Sequence, residues 1–213
     1  MKVFRKIYKC GVCGTENEYV VGGSGFMRGY SDFDLKPSEN LWAVGSGILE
    51  CPNCHYANYK IDNPIEARFL NNLELWNNSE DFQNIIKKYS GNLRKILLVA
   101  QQYENTMNYL KAYKSYIEAS WLAEDDEVPY FRDKACYYFT KEVLPKYVDD
   151  LLQIADIFRM GGYFQESTYL LNSIKEIVDE TDENEFKILN AEIKFIENKD
   201  KERHNLSEIF EET

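Results

Sequence analysis

Cys10-Gly11-Val12-Cys13, echoed 37 residues later by Cys51-Pro52-Asn53-Cys54, is the stretch on which the reading of this chain turns. A C-x-x-C pair places two thiols on one tight turn, and two such turns face to face supply the sulfur tetrahedron that zinc prefers. The residues between the pairs include no other cysteine or histidine, so nothing there competes for a metal. Four sulfurs fill the shell, which predicts one structural Zn2+ on Cys10, Cys13, Cys51 and Cys54 and no open position for water or substrate. Gly11 and Gly14 leave room for backbone amides to point at the sulfurs and spread their charge. Metal binding of this kind contributes on the order of 10 kcal/mol to folding a unit with so small a core. A thiol redox pair and an iron–sulfur site are the competing chemistries. His55 follows a ligand directly, but four cysteines make it unnecessary.

Working outward, residues 2–8 alternate as a strand would on entering the first turn, residues 16–21 read as its return, and residues 48–50 as a strand entering the second turn. Residues 22–47 are rich in glycine with one proline and read as a long loop. This defines an expected zinc ribbon over residues 1–60, whose turns clamp the loop against the helices. Within the loop, Asp32-Phe33-Asp34-Leu35-Lys36-Pro37 is the one compact charged motif. Its carboxylates are expected to bond the loop's own amides and Arg28. The alternative is a small-molecule or catalytic site at the ribbon–helix junction, so Asp32 and Asp34 are candidate binding residues.

Beyond residue 60 the periodicity is helical. Asn63-Pro64-Ile65-Glu66 offers an N-cap, a proline at the first helical position and a glutamate three residues on. Leu93, Ile96, Leu97, Ala100, Tyr103, Met107 and Leu110 form one stripe, and Tyr113, Tyr116, Ile117 and Ser120 continue it after a break at 105–108, which predicts a helical hairpin. Pro129 opens the next helix and Pro145 interrupts it. Tyr147, Leu151, Ile154, Ala155 and Phe158 lead to a stop at Gly161-Gly162, a further helix runs from Tyr163 to about Asp179, and a last one starts at Asp182 and is expected to bury Phe186, Leu189, Ile193 and Ile196. Ala100, Tyr103, Ala112, Tyr116 and Ala119 recur as Ala155, Phe158, Ser167, Leu171 and Ile174 at a constant offset of 55 residues. That alternation of small and large residues is the packing code of tetratricopeptide-type hairpins, with the period lengthened by the helix near 129–146. The expected fold class is therefore α+β, mostly α: a small β zinc ribbon followed by a TPR-like all-helical domain over 61–213.

The formal net charge is −11. Residues 1–60 carry seven basic and six acidic side chains, leaving 18 and 30 for the remainder, so the ribbon is nearly neutral and the helices are acidic. An acidic body repels phosphate backbones and lacks the basic patch of a membrane-surface protein. No run of apolar residues is long enough to span a membrane, and the first residues lead into polar ones instead of a signal-peptide core. Four of five cysteines in C-x-x-C pairs fit a reducing compartment, so the expected location is the cytoplasm. Cys136 lies in an apolar run and His204 in the charged run 199–204, read as a small core residue and a solvated helix end. There is no phosphate-cradling glycine loop, H-E-x-x-H or nucleophile elbow.

Cys10-Gly11-Val12-Cys13-Gly14-Thr15-Glu16-Asn17-Glu18, Ser31-Asp32-Phe33-Asp34-Leu35-Lys36-Pro37 and Cys51-Pro52-Asn53-Cys54-His55-Tyr56-Ala57 resemble the N-terminal region of a family of uncharacterised bacterial proteins, and residues 155–163 and 199–204 are similar to later stretches of it. The resemblance implies a cysteine-rich zinc ribbon ahead of tetratricopeptide-like helices, and no known activity. The chain departs from the family by Lys36 in place of arginine and His55 in place of glycine. Together these features lead to a non-enzymatic, zinc-stabilised interaction protein whose concave, acidic and aromatic helical face holds a protein or peptide partner, with Tyr109 and Tyr113 as candidate groove residues. Nucleic-acid binding through the ribbon is a further alternative.

Overall fold

A computed structural model of the chain describes residues 3–22, 31–37, 41–63, 67–141, 147–178 and 182–210. The expected roles of Arg28, the glycines within 23–30, the helix start at 64–66 and the interruption at Pro145 lie outside these residues. Among the described residues there are two small antiparallel sheets and nine α-helices. Strands β1 (Val3–Lys9) and β2 (Glu16–Gly22) pair from Val3↔Gly22 to Lys9↔Glu16, around the first cysteine turn. Strands β3 (Leu49–Glu50) and β4 (Ala57–Asn58) pair around the second. The helices are α1 (Ala67–Asn77), α2 (Glu80–Lys88), α3 (Gly91–Asn105), α4 (Tyr109–Leu122), α5 (Val128–Phe139), α6 (Val148–Gly161), α7 (Phe164–Lys175), α8 (Glu183–Glu197) and α9 (Ser207–Phe210).

Residue 60 is not where the compact units part. One unit combines residues 1–26 with 40–131, and the other combines 27–39 with 132–213. The ribbon thus belongs with α1 to α4, whereas the Asp32–Asp34 segment belongs with the C-terminal helices.

Each unit is built on one central helix. In the first, residues 96–100 of α3 are all buried. In the second, residues 151–160 of α6 are buried without interruption, as only a helix covered on every side can be. The packing partner of α3 is α4 and that of α6 is α7, and the 55-residue offset holds down to the backbone. Asn108 N donates to Tyr103 O and Met107 N to Glu104 O (2.8 and 3.0 Å); Tyr163 N donates to Phe158 O and Gly162 N to Arg159 O (2.8 and 2.9 Å). Both loops are Schellman turns whose pivot is left-handed, with φ 56° at Met107 and 83° at Gly162. Small residues line the facing sides: Ala100, Ala112 and Ala119 in one hairpin, Ala155 and Ser167 in the other, are all fully buried. Ser167 Oγ donates to Ala155 O at 2.7 Å, which lets a hydroxyl sit where its counterpart is an alanine.

Several expectations need correction. Met107 is exposed because it is the turn pivot and not part of the stripe, and Leu110 is exposed beside it. Phe186 is 40% exposed, while the inward position on α8 is taken by Glu192, which has no exposed surface. Helix α2 was not anticipated, although Phe82, Ile85 and Ile86 stand at helical spacing, Phe82 and Ile85 are buried, and its caps are legible: Ser79 Oγ accepts from Phe82 N, Glu80 and Asp81 open it, and Lys87 and Lys88 close it.

The pivots predict opposite responses. Met107→Gly removes a left-handed side-chain penalty of about 1 kcal/mol and should raise the melting temperature of the first unit. Gly162→Ala introduces that penalty at φ 83°, so it should lower the melting temperature. Calorimetry of the two variants checks the pair.

Candidate metal centre and interaction groove

The two cysteine turns repeat one backbone pattern. Cys10 N donates to Thr15 O and Gly14 N to Cys10 O (2.9 and 3.0 Å); Cys51 N donates to Tyr56 O and His55 N to Cys51 O (both 2.8 Å). The residue after the second cysteine is left-handed in each, Gly14 at φ 73° and His55 at φ 56°. His55 bears a strain that glycine would not. It is held there by Nδ1 against Glu50 Oε1 at 2.8 Å and by the edge of the Phe82 ring at 6.1 Å. Glu50 in turn accepts from Arg94 Nε at 3.1 Å, and Arg94 belongs to α3. With its amide turned to satisfy both ends, buried Gln102 of α3 donates to Ala57 O and accepts from Ala57 N (2.9 and 3.2 Å). The second turn is thereby tied to the central helix of its unit, and Gly11 N, donating to Ile61 O at 2.8 Å, ties in the first.

These turns bring the four sulfurs within 4.8 Å of one another. Cys10 Sγ lies 3.7 Å from Cys54 Sγ, and Cys13 Sγ lies 3.6 Å from Cys51 Sγ. A tetrahedron with metal–sulfur bonds of about 2.3 Å has edges of about 3.8 Å, so the set fits a thiophilic four-coordinate ion. The donors around the sulfurs point the same way. Amides of Cys13 and Val12 bond Cys10, that of Thr15 bonds Cys13, and that of Tyr56 bonds Cys54. Without a cation four thiolates could not share this space. Burial first, then the neighbouring Cys13, Cys10 and Cys51, pushes the Cys54 thiol up, and burial raises Cys10. Cys13 is the exception: burial acts against ionisation, but the Thr15 hydroxyl and amide outweigh it and bring the thiol down to about 6. A bound dication removes the repulsion and allows all four to ionise.

The same unit carries two adjoining cavities of about 420 Å³ each, both lined by Asp81 and Gln101. The first lies among α2, α3, α4 and α5. Its walls include Tyr89, Tyr116, Tyr130 and Phe131, with Phe131 centroids 6.1 Å from Tyr89, 6.4 Å from Tyr116 and 5.3 Å from Tyr130. Asp81, Asp126 and Glu127 stand on it against a single cation, Lys88. Tyr89 Oη donates to Glu127 Oε1 at 2.9 Å, and Lys88 Nζ pairs with the same carboxylate, which holds the Glu127 carboxyl below its usual range. The second cavity is more polar and includes Trp76, whose indole donates to Gln101 Oε1 at 2.6 Å. Neither cavity is lined by Tyr109 or Tyr113. Tyr113 is fully buried, its ring spent on the α4 packing, and Tyr109 is half-buried.

Asp32 and Asp34 sit in the other unit, held by a cation far away in sequence. Arg203 Nη1 meets Asp32 Oδ2 at 3.1 Å and Arg203 Nη2 meets Asp34 Oδ2 at 3.4 Å; Asn205 Nδ2 donates to Asp32 Oδ1 at 2.9 Å. Lys36 engages the motif through its backbone, its amide donating to Asp34 Oδ1 at 3.1 Å and its carbonyl accepting from Asp32 N at 2.9 Å. The segment also pairs as a strand would, with Phe33 N on His204 O and Leu206 N on Ser31 O (3.1 and 2.9 Å). Residues 31–37 are thus clasped by residues 203–206. His204 is no solvated helix end: it stacks on Phe195 at 3.8 Å and bonds Asp200 and Glu208 through its two nitrogens.

Beneath this clasp runs a polar stripe that periodicity alone passes over. Gln153, Asp156 and Arg159, three apart on α6, are all buried. Gln153 Nε2 donates to Asp34 O at 2.8 Å, Arg159 Nη2 to Asp156 Oδ1 at 2.5 Å and Arg159 Nη1 to Asp200 O at 2.8 Å. Glu192 pairs with Arg159 Nε at 3.4 Å, inside the same buried cluster. Burial, then the Asp156 charge, raises its carboxyl well above the ordinary 4.5. Three polar residues spaced by three inside an otherwise apolar helix were the signal available for this cluster. Cys136 is buried, and burial pushes its thiol up to about 12, which leaves it a core residue and no nucleophile.

No family model, curated protein or solved structure matches the chain. The resemblance to the bacterial ribbon-and-helix family therefore rests on its quoted motifs, together with the four-cysteine cluster and the helices C-terminal to it. Among the described residues no helix is long and apolar enough to cross a membrane.

Cys51→Ser should abolish stoichiometric metal retention and remove hydrogen-exchange protection from β1 to β4, while α6 to α8 keep theirs. Unchanged metal content and exchange would contradict the closed four-sulfur site. The buried acid makes a second prediction. Glu192 binds its proton more tightly in the folded state, so its contribution is complete below the ordinary 4.5 and is lost as pH rises through the raised folded value. Glu192→Gln, which stays neutral, should gain thermal stability over wild type as pH rises and show little gain below the ordinary 4.5.

Proposed function

We propose that the chain is a non-enzymatic interaction protein: one structural zinc on Cys10, Cys13, Cys51 and Cys54 stabilises the first unit, and the groove along α3 holds a protein or peptide segment. The observation that supports this most is the pairing, within one unit, of a closed all-sulfur set and an aromatic, acidic cavity. Zinc is the ion for which a redox-silent, four-coordinate, all-thiolate site is ordinary. The hairpins at a 55-residue offset, with matching turns and small facing residues, support a degenerate tetratricopeptide-type arrangement, a scaffold that commonly binds peptides. Free thiols throughout the described residues fit a reducing compartment such as the cytoplasm. The alternative site at Asp32 and Asp34 finds no support, since Asp34 has no exposed surface and Arg203 and Asn205 engage Asp32.

Metal analysis of the purified chain should return one zinc per molecule. Panning a random peptide library on the whole protein should enrich a related set of binders that Tyr130→Ala, a change at an exposed ring, no longer retains. A library that yields no enrichment would overturn the interaction reading.

A further inference from the structure

The chemistry of the groove narrows what it can hold. Its first cavity sets aromatic rings beside three carboxylates, and among the described residues Asp81 and Asp126 form no ion pair. Both are exposed, while Tyr116 and Phe131 are almost wholly buried, so negative charge stands at the mouth above an apolar floor. A ring face attracts a cation through its quadrupole, and the attraction grows as water is excluded. The chain already demonstrates the mode with its own side chain: Lys88 Nζ lies 5.1 Å over the Tyr89 ring and pairs with Glu127. An anionic or wholly apolar segment would leave these carboxylates uncompensated or desolvated. The net charge of −11 favours approach of a positive partner over the same distance range.

From this geometry we infer that the groove's occupant is a basic segment of a protein partner, with an arginine or lysine side chain seated among Tyr89, Tyr116 and Tyr130 and its charge answered by Asp81 and Asp126. This rests on the interaction reading above and specifies its ligand. Lys88 is then an internal competitor, occupying part of the cation's position when the groove is free.

The test titrates the full-length, zinc-loaded chain with a capped hexa-arginine peptide, followed by calorimetry. The expected result is saturable one-to-one binding that weakens with added salt. Tyr130→Ala should weaken it roughly fivefold or more, the scale of one lost cation–π partner. The double change Asp81→Asn with Asp126→Asn should weaken it by about tenfold, as two lost charge contacts would. Lys88→Met should tighten it, an effect that damage to the fold would not produce. Glu176→Gln, the same kind of charge removal on an exposed side chain of the other unit, should leave it unchanged. Failure to bind the peptide, equal weakening by Glu176→Gln, or equally tight binding of spermine at the same site would each overturn the proposal. The last outcome would assign the groove to a small free amine. Library peptides that bind through Tyr130 without basic residues would overturn this inference while sustaining the interaction reading.

Discussion

Four sulfurs within 4.8 Å of one another are the constraint on which the first unit depends. Thiolates at that spacing repel, thiols leave the amides aimed at them poorly used, and a thiophilic dication resolves both difficulties. A cation there would act past the two cysteine turns, because the second turn is fastened to α3 through Glu50, Arg94 and Gln102. The strands are too short to hold themselves: β3 and β4 are two residues each, and the exposed β1 buries none of its side chains. Turns and central helix therefore stabilise one another, and a cation on the four sulfurs would add to that hold.

The second unit meets a different constraint. A helix buried on all sides gains most from apolar side chains, yet α6 carries Gln153, Asp156 and Arg159 inward. Taking such groups out of water costs several kcal/mol each unless partners replace the solvent. The 31–37 segment, α8 and the 200–206 segment supply those partners, with Asp34 O, Glu192 and Asp200 O around the stripe. Burial raises the Glu192 carboxyl well above its ordinary 4.5, which lowers the cost of holding it beside Asp156. The same economy explains Arg203, which holds two carboxylates that would otherwise face each other unscreened.

The two hairpins, one in each unit, close by one backbone pattern although their side chains differ. Residues 103–108 and 158–163 close by the same hydrogen bonds, although one pivot is glycine and the other methionine. Side chains diverge where neighbours differ, whereas the left-handed pivot is demanded by the reversal of the chain itself.

Local chemistry made much of this legible in advance. The C-x-x-C pairs identified the four sulfurs because ligand spacing is a property of short turns, and periodicity placed the α3–α4 hairpin, α6 and the stop at Gly162 because helix faces repeat along the chain. Helix α2 was missed although Ser79 and its flanking charges announced it. What the sequence by itself determined, then, was the four-cysteine cluster and the helical character of the chain that follows it. Tertiary structure alone decided that Asp32 and Asp34 belong to Arg203 and Asn205, that Glu192 and not Phe186 points inward on α8, that Tyr113 is core, and that Tyr89, Tyr116, Tyr130 and Phe131 share a cavity. Those pairings join residues from distant helices and loops, and their partners are chosen by the desolvation cost of buried charge and by the space left between packed helices, neither of which is written in local spacing.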